Sequence, residues 1–475
     1  MISNFSEWYN RILKEAELVD LRYNVKGFIV ILPWAMKVIK QIFHLFENEL
    51  EKQHHNPYHF PAVISLSNFK LEEEHIKGFS SEVFWIEKAG DNKLNNPLLL
   101  RPTSETAIYP MFSLWINGVK DLPLLMYQSG TVWRYETKST KPFIRGREFL
   151  WIETHCAFSS YSEVQKRITD DVNIARHVLT DMLGIPFLFL KRPQWDKFHG
   201  AKDTYAFDTL LPSGKVLQIS TTHDLHQKFS KPFNISYTDE KGNTQFVYQT
   251  CFGIGINRIY ASLISWYGDD KGLYYPFHLS PIQVVIVPIY KSNNKEKIDR
   301  YVSHLKQLLK KNNITYIYDT SNETPGFKFN KWEMKGVPFR IEVGMREIES
   351  NKLVVVHRKL KKKELVEFEK VVDYISSNAK TIFEKEKQKH IQHFNESIHE
   401  AETLEQLKLE LKKGGFVKVP FCSIDFDGKD CSDVIKTQLQ AEIRGVNPNE
   451  EKPKSKKCIV CGKDAKHYVY ISKAY

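Results

Sequence analysis

Residues 204–222 read TYAFDTLLPSGKVLQISTT, and this stretch decides the fold class. Two runs rich in β-branched and aromatic residues, 204–211 and 215–222, flank Pro212-Ser213-Gly214, which is typical of a hairpin turn. Similar strand-like runs precede it at 123–136 and 148–158. Strands joined by short turns pair antiparallel. Residues 1–275 are therefore predicted to form an antiparallel sheet with helices, an α+β domain.

Two long segments of the same region, 34–54 and 161–183, have the apolar periodicity of helices. Neither a GxxxxGK[ST] nor a GxGxxG motif follows a strand. This argues against a doubly wound nucleotide-binding fold.

The pattern changes after Pro276. The run PIQVVIVPIY (281–290) predicts a strand buried on both faces, and an amphipathic helix is predicted over 294–311. Further strand-like runs alternate with helical ones, which predicts a small α/β domain with a mixed sheet at 281–377. A third domain, also α/β and rich in cysteine, is expected over 378–475.

The composition excludes several classes of protein. The 475 residues are 42% hydrophobic and 26% charged, which suits a multidomain globular chain and excludes a disordered or disulfide-stapled one. The longest apolar stretch, Gly27–Met36, is too short to span a bilayer. The N-terminal sequence lacks the features of a targeting signal, so a cytoplasmic protein without membrane contact is expected.

The charge balance favours a polyanionic partner. There are 68 Lys and Arg against 57 Asp and Glu, a formal net charge of +11. A solubilising surface explains the same excess. Basic residues are dense at 352–363 and 452–457, and the first stretch is interpreted either as a solvated helix face or as a nucleic-acid surface.

Four of the six cysteines lie close together in the sequence near the C-terminus, at Cys422, Cys431, Cys458 and Cys461. In a chain without a secretory signal, clustered thiols favour a metal site over disulfides. Cys156 and Cys251 lie in apolar surroundings, where a small buried side chain is the expected role.

Two motifs point to nucleotide chemistry. Arg134-Tyr135-Glu136 is predicted on a strand, with Arg134 and Glu136 on one sheet face and a loop carrying Arg145 behind them. Arginine can bind phosphate with two parallel hydrogen bonds, and a carboxylate can accept from an adenine amino group. The second motif, 251–258, reads CFGIGINR: a strand, two glycines, then a helix that opens with Arg258. Taken alone, the first motif is better explained by a cross-strand salt bridge and the second by a glycine-softened turn.

Together these motifs resemble motifs two and three of class II aminoacyl-tRNA synthetases, with Pro61 similar to the motif-one proline of the dimer interface. Longer segments resemble prolyl-tRNA synthetases of the archaeal and eukaryotic type: RPTSET at 101–106, REFLWIETH at 147–155, STTHDLHQKFSK at 220–231, PGFKFNKWEMKGVPFRIEVGMREI at 325–348 and the terminal Lys-Ala-Tyr. The resemblance covers essentially the whole chain. It implies a class II catalytic domain, an anticodon-binding domain and a C-terminal zinc domain.

The resemblance also implies an activity, which is ATP-dependent ligation of L-proline to tRNA(Pro) with Mg²⁺ by a homodimer. Thr103 and Glu105 would bind the imino nitrogen of proline, and His223 would close the pocket. Arg134 and Arg258 would be catalytic, with Arg134 holding the carboxylate of proline. The ATP-binding residues would be Arg134, Glu136, Arg145, Gln218, Thr221 and Arg258. The amino-acid carboxylate is already a nucleophile at pH 7, so no general base is expected.

Two further sites follow from the same resemblance. Phe329, Glu333 and Arg340 would read the anticodon by stacking and by hydrogen bonds to guanine edges. The four clustered cysteines would hold a structural Zn²⁺, with His467 as the reserve ligand because the spacing from Cys422 to Cys431 is long.

The chain departs from the family in places. It has Ile219-Ser220 in place of a glycine pair, His226 in place of a glycine and a bulky Tyr260 after Arg258. Between Pro212 and Lys231 there is no room for the editing insertion of bacterial prolyl enzymes.

The sequence is compatible with two alternatives. A paralogue would make the adenylate but load another acceptor, and a non-catalytic tRNA-binding protein would keep only the scaffold. The intact Arg134, Glu136 and Arg258 argue against the second.

Overall fold

The computed structural model describes residues 4–71, 82–290 and 294–475. The chain divides into two compact units. The first unit comprises Met1–Tyr23, Ile29–Gln41 and Leu263–Ile391, and the second unit comprises Asn24–Phe28, Ile42–Ser262 and Gln392–Tyr475. Three helices have residues in both units: Pro33–Lys52, Ile256–Tyr267 and Val371–Glu396.

The second unit is built on a seven-stranded sheet. In spatial order its strands are Asn56–Pro57, Leu124–Trp133, Glu148–Phe158, Tyr248–Ile254, Val216–His226, Asp203–Leu210 and Leu188–Lys191. Every neighbouring pair is antiparallel except the first, which is parallel. The antiparallel sheet predicted from the hairpin-like turns is therefore confirmed.

The hairpin that decides the fold forms at its predicted turn. Leu210 pairs with Val216, and the amide of Gly214 donates to the carbonyl of Leu211 at 2.9 Å. Gly214 has a φ of +74°, which favours glycine at this position. The two strands bring Asp208 and Gln218 directly opposite each other.

Smaller sheets complete the second unit. A three-stranded sheet has the order Val63–Ser65, Asn92–Leu100, Phe84–Ala89, and a two-stranded one pairs Ser236–Thr238 with Thr244–Phe246. A four-stranded sheet near the C-terminus has the order Ile398–Glu400, Phe416–Phe421, His467–Ser472, Glu442–Gly445. Among the described residues, the α-helices that lie wholly in this unit are Leu66–Phe69, Glu105–Trp115, Tyr161–Ala175, Leu404–Lys413 and Lys429–Leu439.

The hairpin turn meets the C-terminal segment backbone to backbone. A Cβ placed on Gly214 would lie 2.9 Å from the Cα of Gly414. The amide of Gly415 donates to the carbonyl of Gly214 at 2.8 Å, and the amide of Val216 donates to the carbonyl of Lys473 at 2.9 Å. Side chains at the two glycines would separate these backbones.

The first unit contains the predicted mixed sheet. Its strand order is Tyr316–Tyr318, Val284–Pro288, Phe339–Val343, Lys352–His357, Lys363–Glu367. Val284–Pro288 pairs parallel with both of its neighbours and is buried throughout, as its apolar sequence predicts. A two-stranded sheet joins Val19–Asp20 to Val30–Ile31. In the part of this unit that the structure describes, the α-helices that lie wholly within it are Phe5–Glu15, Lys295–Lys311, Pro325–Met334 and Met345–Glu349.

Two local predictions are corrected. The basic stretch 352–363 is not a helix face, because Lys352–His357 and the strand that begins at Lys363 pair antiparallel across a turn. The predicted helix 161–183 is α-helical only to Ala175 and continues as a π-helix over Arg176–Met182. Among the described residues, no helix combines the length and apolarity that a membrane crossing requires.

Candidate active site

One cleft of about 730 Å³ in the second unit brings together six of the nine residues predicted to bind proline or ATP, while Glu136, Arg145 and Arg258 are not among its lining residues. Those that line it are Thr103, Glu105, Arg134, Gln218, Thr221 and His223. Glu105 opens the helix Glu105–Trp115 and is 2% exposed, and the hydroxyl of Thr103 donates to its carboxylate at 2.5 Å. A buried carboxylate in a cleft is suited to a cationic group of a ligand.

Arg134 lies one residue beyond the end of its strand. The sequence-based prediction that Arg134 and Glu136 share a strand face is wrong, because the strand ends at Trp133. The chain turns there: the amide of Tyr135 donates to the carbonyl of Glu82, and that of Glu136 to the carbonyl of Arg134. Arg134 itself donates from Nε to the carbonyl of Pro102 at 3.0 Å.

Arginines gather around the cleft. The Nε of Arg145 lies 3.6 Å from a carboxylate oxygen of Glu136. Arg258 donates from Nε to the carbonyl of Ile144 and from Nη1 to the carbonyl of Gln218, both at 3.0 Å. Burial, together with the charges of Arg134 and Arg145, lowers the pKa of Arg258 to about 10, so it stays cationic at pH 7. Like charges held this close favour a polyanionic ligand.

His223 is 8% exposed, and its ring has two neighbours. Its Nδ1 lies 2.9 Å from the hydroxyl of Thr204, and its ring centroid lies 4.7 Å from that of Phe198. Burial lowers the pKa of His223 to about 4, so the imidazole is neutral at pH 7. A neutral ring against an aromatic one makes an apolar wall rather than a charged one.

Several cleft residues were not singled out in the sequence. They are Trp151, Glu153, His155, Arg192, Asp196, Lys197, Phe198 and Thr204, whereas Cys251, Phe252 and Gly253, which also line the cleft, belong to the predicted motif 251–258. Trp151 and Glu153 lie in the segment REFLWIETH on the strand Glu148–Phe158, two residues apart. Residues at this spacing share one face of a strand, so the sequence could have indicated that both face the site. Arg192 and Phe198 follow the edge strand of the sheet, and nothing in their spacing indicated a site.

Two departures from the family pattern have local explanations. His226 adopts a φ of +51° at a bulge in its strand, a conformation that glycine adopts without strain. Its ring packs against Tyr161 and Tyr248, with centroids 5.1 and 5.0 Å away. Tyr260 is fully buried and packs edge-on against Phe143, at 4.9 Å.

The three predicted anticodon residues line a separate cleft of about 560 Å³ within the first unit. The guanidinium of Arg340 lies 3.9 Å from the ring centroid of Phe329 and is anchored at 3.0 Å by the buried Glu342. The carboxylate of Glu333 lies 3.6 Å from Lys271 Nζ. The cleft thus offers an aromatic face, a guanidinium and a carboxylate, which are groups that recognise unstacked bases.

The four clustered cysteines converge in the second unit. Their sulfur atoms all lie within 4.8 Å of one another, and those of Cys422 and Cys431 are 3.7 Å apart. Zinc bound to four thiolates at about 2.3 Å would place sulfur atoms about 3.8 Å apart, so the geometry fits. Burial raises the pKa of Cys422 to about 12, and a bound cation would offset that cost of ionisation. Among the described residues, His467 is not part of the group.

The antiparallel sheet with its arginine-lined cleft defines a class II aminoacyl-tRNA synthetase core. Three protein-family models match the chain. They are "tRNA synthetase class II core domain (G, H, P, S and T)" at 84–267, "Anticodon binding domain" at 283–378 and "Prolyl-tRNA synthetase, C-terminal" at 404–475. The predicted fold class is confirmed.

Relatives extend over the whole chain. It is 47% identical to a proline–tRNA ligase of Thermofilum pendens over 99% of this chain and 98% of that one. It is 40% identical to that of Methanosphaera stadtmanae over the full length of both. The solved structure of Giardia lamblia prolyl-tRNA synthetase in complex with prolyl-adenylate matches with a TM-score of 0.95 and 36% identity, over 99% of this chain and 98% of that one. The chain belongs to the proline–tRNA ligase family, which confirms the predicted family and enzyme class.

Proposed function

We propose that this chain activates L-proline with ATP, giving prolyl-adenylate and pyrophosphate, and then transfers the prolyl group to the 3′ end of tRNA(Pro). The observation that carries the proposal is the presence of the buried carboxylate of Glu105 and the guanidinium of Arg134 in one cleft. Free proline carries a secondary ammonium and a carboxylate, which match these two charges. The similarity to an enzyme solved with prolyl-adenylate supports the same activity.

In this proposal the amino acid is held at both ends. Thr103 and Glu105 bind the imino nitrogen, and Arg134 binds the carboxylate. His223, neutral at pH 7, closes the pocket beside Phe198 and faces the apolar ring of proline. An amino acid without the ring of proline presents its ammonium differently to Thr103 and Glu105, or buries less apolar surface against His223 and Phe198.

The nucleotide is held mainly through its charge. Arg134 contacts the α-phosphate, while Arg145 and Arg258 contact the outer phosphates, and Glu136 accepts from the adenine amino group. Thr221 and Gln218 complete the ATP-binding set. ATP enters as its Mg²⁺ complex, and the ion supplies further neutralisation of phosphate charge.

The first step needs no proton transfer by the protein. A carboxylate oxygen of proline attacks the α-phosphorus, a new phosphorus–oxygen bond forms, and the bond to pyrophosphate breaks. Positioning and neutralisation of the charge on the phosphate oxygens are the contributions of the arginines. In the second step the terminal adenosine hydroxyl of the tRNA attacks the prolyl carbonyl carbon. The bond from that carbon to the phosphate oxygen breaks, AMP leaves, and the hydroxyl proton is released.

Recognition of tRNA is assigned to residues 281–377, with Phe329, Glu333 and Arg340 contacting anticodon bases. This assignment is supported by the guanidinium of Arg340 over the ring of Phe329 and by the carboxylate of Glu333 in the same cleft. The catalytic domain is assigned to residues 1–275 and the zinc-binding domain to residues 378–475.

Three further assignments accompany the activity. The four clustered cysteines hold a structural Zn²⁺, because a complete shell of four sulfur ligands leaves no open position for water. The protein is a homodimer with Pro61 at its interface, supported by the exposed apolar side chains of Val63 and Leu114, which are 40% and 67% exposed. Its site of action is the cytoplasm, where its substrates occur.

The test is proline-dependent exchange of pyrophosphate into ATP, measured with each standard amino acid in turn, followed by charging of tRNA(Pro). Exchange with proline above all other amino acids, and charging of tRNA(Pro), is the expected result. Exchange without charging would indicate a paralogue with another acceptor. No exchange with any amino acid would overturn the proposal.

A further inference from the structure

We propose that Arg192 is a positioning residue that fixes the side-chain amide of Gln218, so that Gln218 meets ATP only as a hydrogen-bond donor. This inference rests on the proposed function, because it concerns how that cleft binds its nucleotide. Arg192 follows the edge strand Leu188–Lys191 and is 2% exposed.

The guanidinium of Arg192 joins three segments of the second unit. Its Nη2 donates to Oε1 of Gln218 at 2.6 Å and to Oδ1 of Asp208 at 3.0 Å. Its Nη1 donates to the main-chain carbonyl of Arg444 at 2.5 Å. Asp208 and Gln218 are opposite each other in the β-ladder, so one side chain reaches both.

The chemistry of arginine settles which way the amide of Gln218 faces. A guanidinium has only donors, so the Gln218 atom beside it has to be the oxygen. The amide nitrogen of Gln218 is then available to donate to a ligand. Among the residues that the structure describes, no acceptor is engaged by Nε2 of Gln218, and this side chain lines the cleft. Its partner on ATP is therefore an acceptor, a ribose or phosphate oxygen.

A second arginine keeps Arg192 in place. Arg444 lies on the strand Glu442–Gly445 and donates to both carboxylate oxygens of Asp208, at 2.8 and 3.1 Å. Burial alone would raise the pKa of Asp208, but the two guanidinium groups outweigh it and hold the pKa below its usual value. The carboxylate thus stays ionised and anchors Arg192 in a site where it is fully buried.

Lysine at position 192 would keep the charge but lose the geometry. A lysine ammonium is a compact point charge, whereas the planar guanidinium presents separate donors to the three acceptors at once. Arg192→Lys therefore retains an ion pair with Asp208 while releasing the amide of Gln218. Gln218→Glu is the complementary change, because it keeps an acceptor toward Arg192 and replaces the donor toward ATP with a second acceptor.

The test measures the affinity for ATP and the KM for proline separately in four variants: Arg192→Lys, Gln218→Glu, Gln218→Ala and the double variant Arg192→Lys/Gln218→Ala. ATP affinity is taken from calorimetry without proline, and KM values from pyrophosphate exchange. Arg192→Lys is expected to weaken ATP binding about fivefold to tenfold, the loss of one hydrogen bond, and Gln218→Glu at least as much, because it also places a negative charge beside the nucleotide. The KM for proline should change less than about twofold in both variants. In the Gln218→Ala background, Arg192→Lys should add less than about twofold, because its effect passes through Gln218.

A purely structural role for Arg192 gives a different pattern. Arg192→Lys would then weaken ATP and proline binding together, and by the same factor in both backgrounds, which would overturn the proposal. Unchanged ATP affinity in Gln218→Glu would overturn it as well, and that variant carries the test if Arg192→Lys does not fold. The matched control is Glu442→Gln, which should behave as the unmodified chain. Glu442 accepts from Nη1 of Arg444 at 3.4 Å, a nitrogen that does not contact Asp208.

The two proposals fail separately. If the unmodified chain shows no proline-dependent exchange, the proposed function fails, while the calorimetric ATP affinities still report on Arg192. If exchange is normal and the ATP affinities do not depend on Arg192 or on the charge at position 218, only the positioning role fails.

Discussion

The guanidinium of Arg134 donates from Nε to the main-chain carbonyl of Pro102 at 3.0 Å. Pro102 directly precedes Thr103, whose hydroxyl donates to Glu105. One arginine is thus tied to the segment that carries the proposed imino-nitrogen ligands. Because Arg134 is also assigned to the α-phosphate, its position couples the two substrates of the first step.

Arg134→Ala is expected to lower the rate of proline-dependent exchange roughly 10²–10³-fold, because one group is asked to stabilise charge on both substrates. Arg134→Lys should restore only part of the exchange rate, because a single ammonium replaces the separate donor nitrogens of the guanidinium. Arg22, whose side chain is 91% exposed, provides the control as Arg22→Ala. A rate for Arg134→Ala within about threefold of the unmodified chain would exclude the assigned role.

Glu333→Ala and Arg340→Ala are expected to leave exchange unchanged and to weaken charging of tRNA(Pro) about tenfold or more, because each removes a contact to a base edge. Both half-reactions are measured on the same preparations. Arg346→Ala is the control, since Arg346 does not line the cleft. Equal loss in exchange and charging would instead assign these residues to the stability of the fold.

Zinc is expected at about one ion per chain in protein purified without chelators. The double variant Cys458→Ser/Cys461→Ser should lose the metal and unfold at a lower temperature, because the ligands come from three separate segments. Cys156→Ser is the matched control: Cys156 is fully buried but lies outside the cluster. Metal analysis by mass spectrometry decides the point, and a metal-free protein would contradict the site.

His223 predicts a pH dependence of stability. Its pKa falls from 6.5 in the unfolded chain to about 4 in the folded one. Between these values the unfolded chain binds a proton that the folded chain does not, so acidification lowers the free energy of unfolding. From about pH 7.5 to about pH 5 the loss from this residue is about 2 kcal/mol. In urea unfolding, His223→Asn should show a correspondingly smaller change, and an identical change would show that His223 is not the group responsible.

Much of the fold could be predicted because its signals are local. The turn Pro212-Ser213-Gly214 and its flanking β-branched runs specify a hairpin, and the apolar run that contains Val284–Pro288 specifies a buried strand. The errors lie where tertiary contacts decide. The strand was predicted to continue to residue 136 but ends at Trp133, because the amides of Tyr135 and Glu136 donate to the carbonyls of Glu82 and Arg134. No periodicity in the sequence indicates these contacts.

The site was predictable only in part. Thr103, Glu105 and His223 lie in segments long enough to be matched as blocks, so the resemblance named them as candidates, and the structure places them in one cleft. Arg192 and Asp208 are 16 positions apart, but Arg444 lies 236 positions beyond Asp208 and on a strand of another sheet, so the three meet only in the folded chain. A buried ion cluster assembled from such distant segments leaves no spacing pattern in the sequence.

The close approach of Gly214 to Gly414 bears on where this protein tolerates added sequence. Polar turns rich in glycine are ordinarily the permissive places for an epitope or a fluorophore-labelling peptide. The turn at Pro212-Ser213-Gly214 has that composition, yet extra residues there would push apart two backbones already in contact. The turn Asp239–Gly242 is the better position, because a Cβ on Gly242 would meet nothing within 4 Å. Two hairpins of similar composition thus differ in whether their tips are available for engineering.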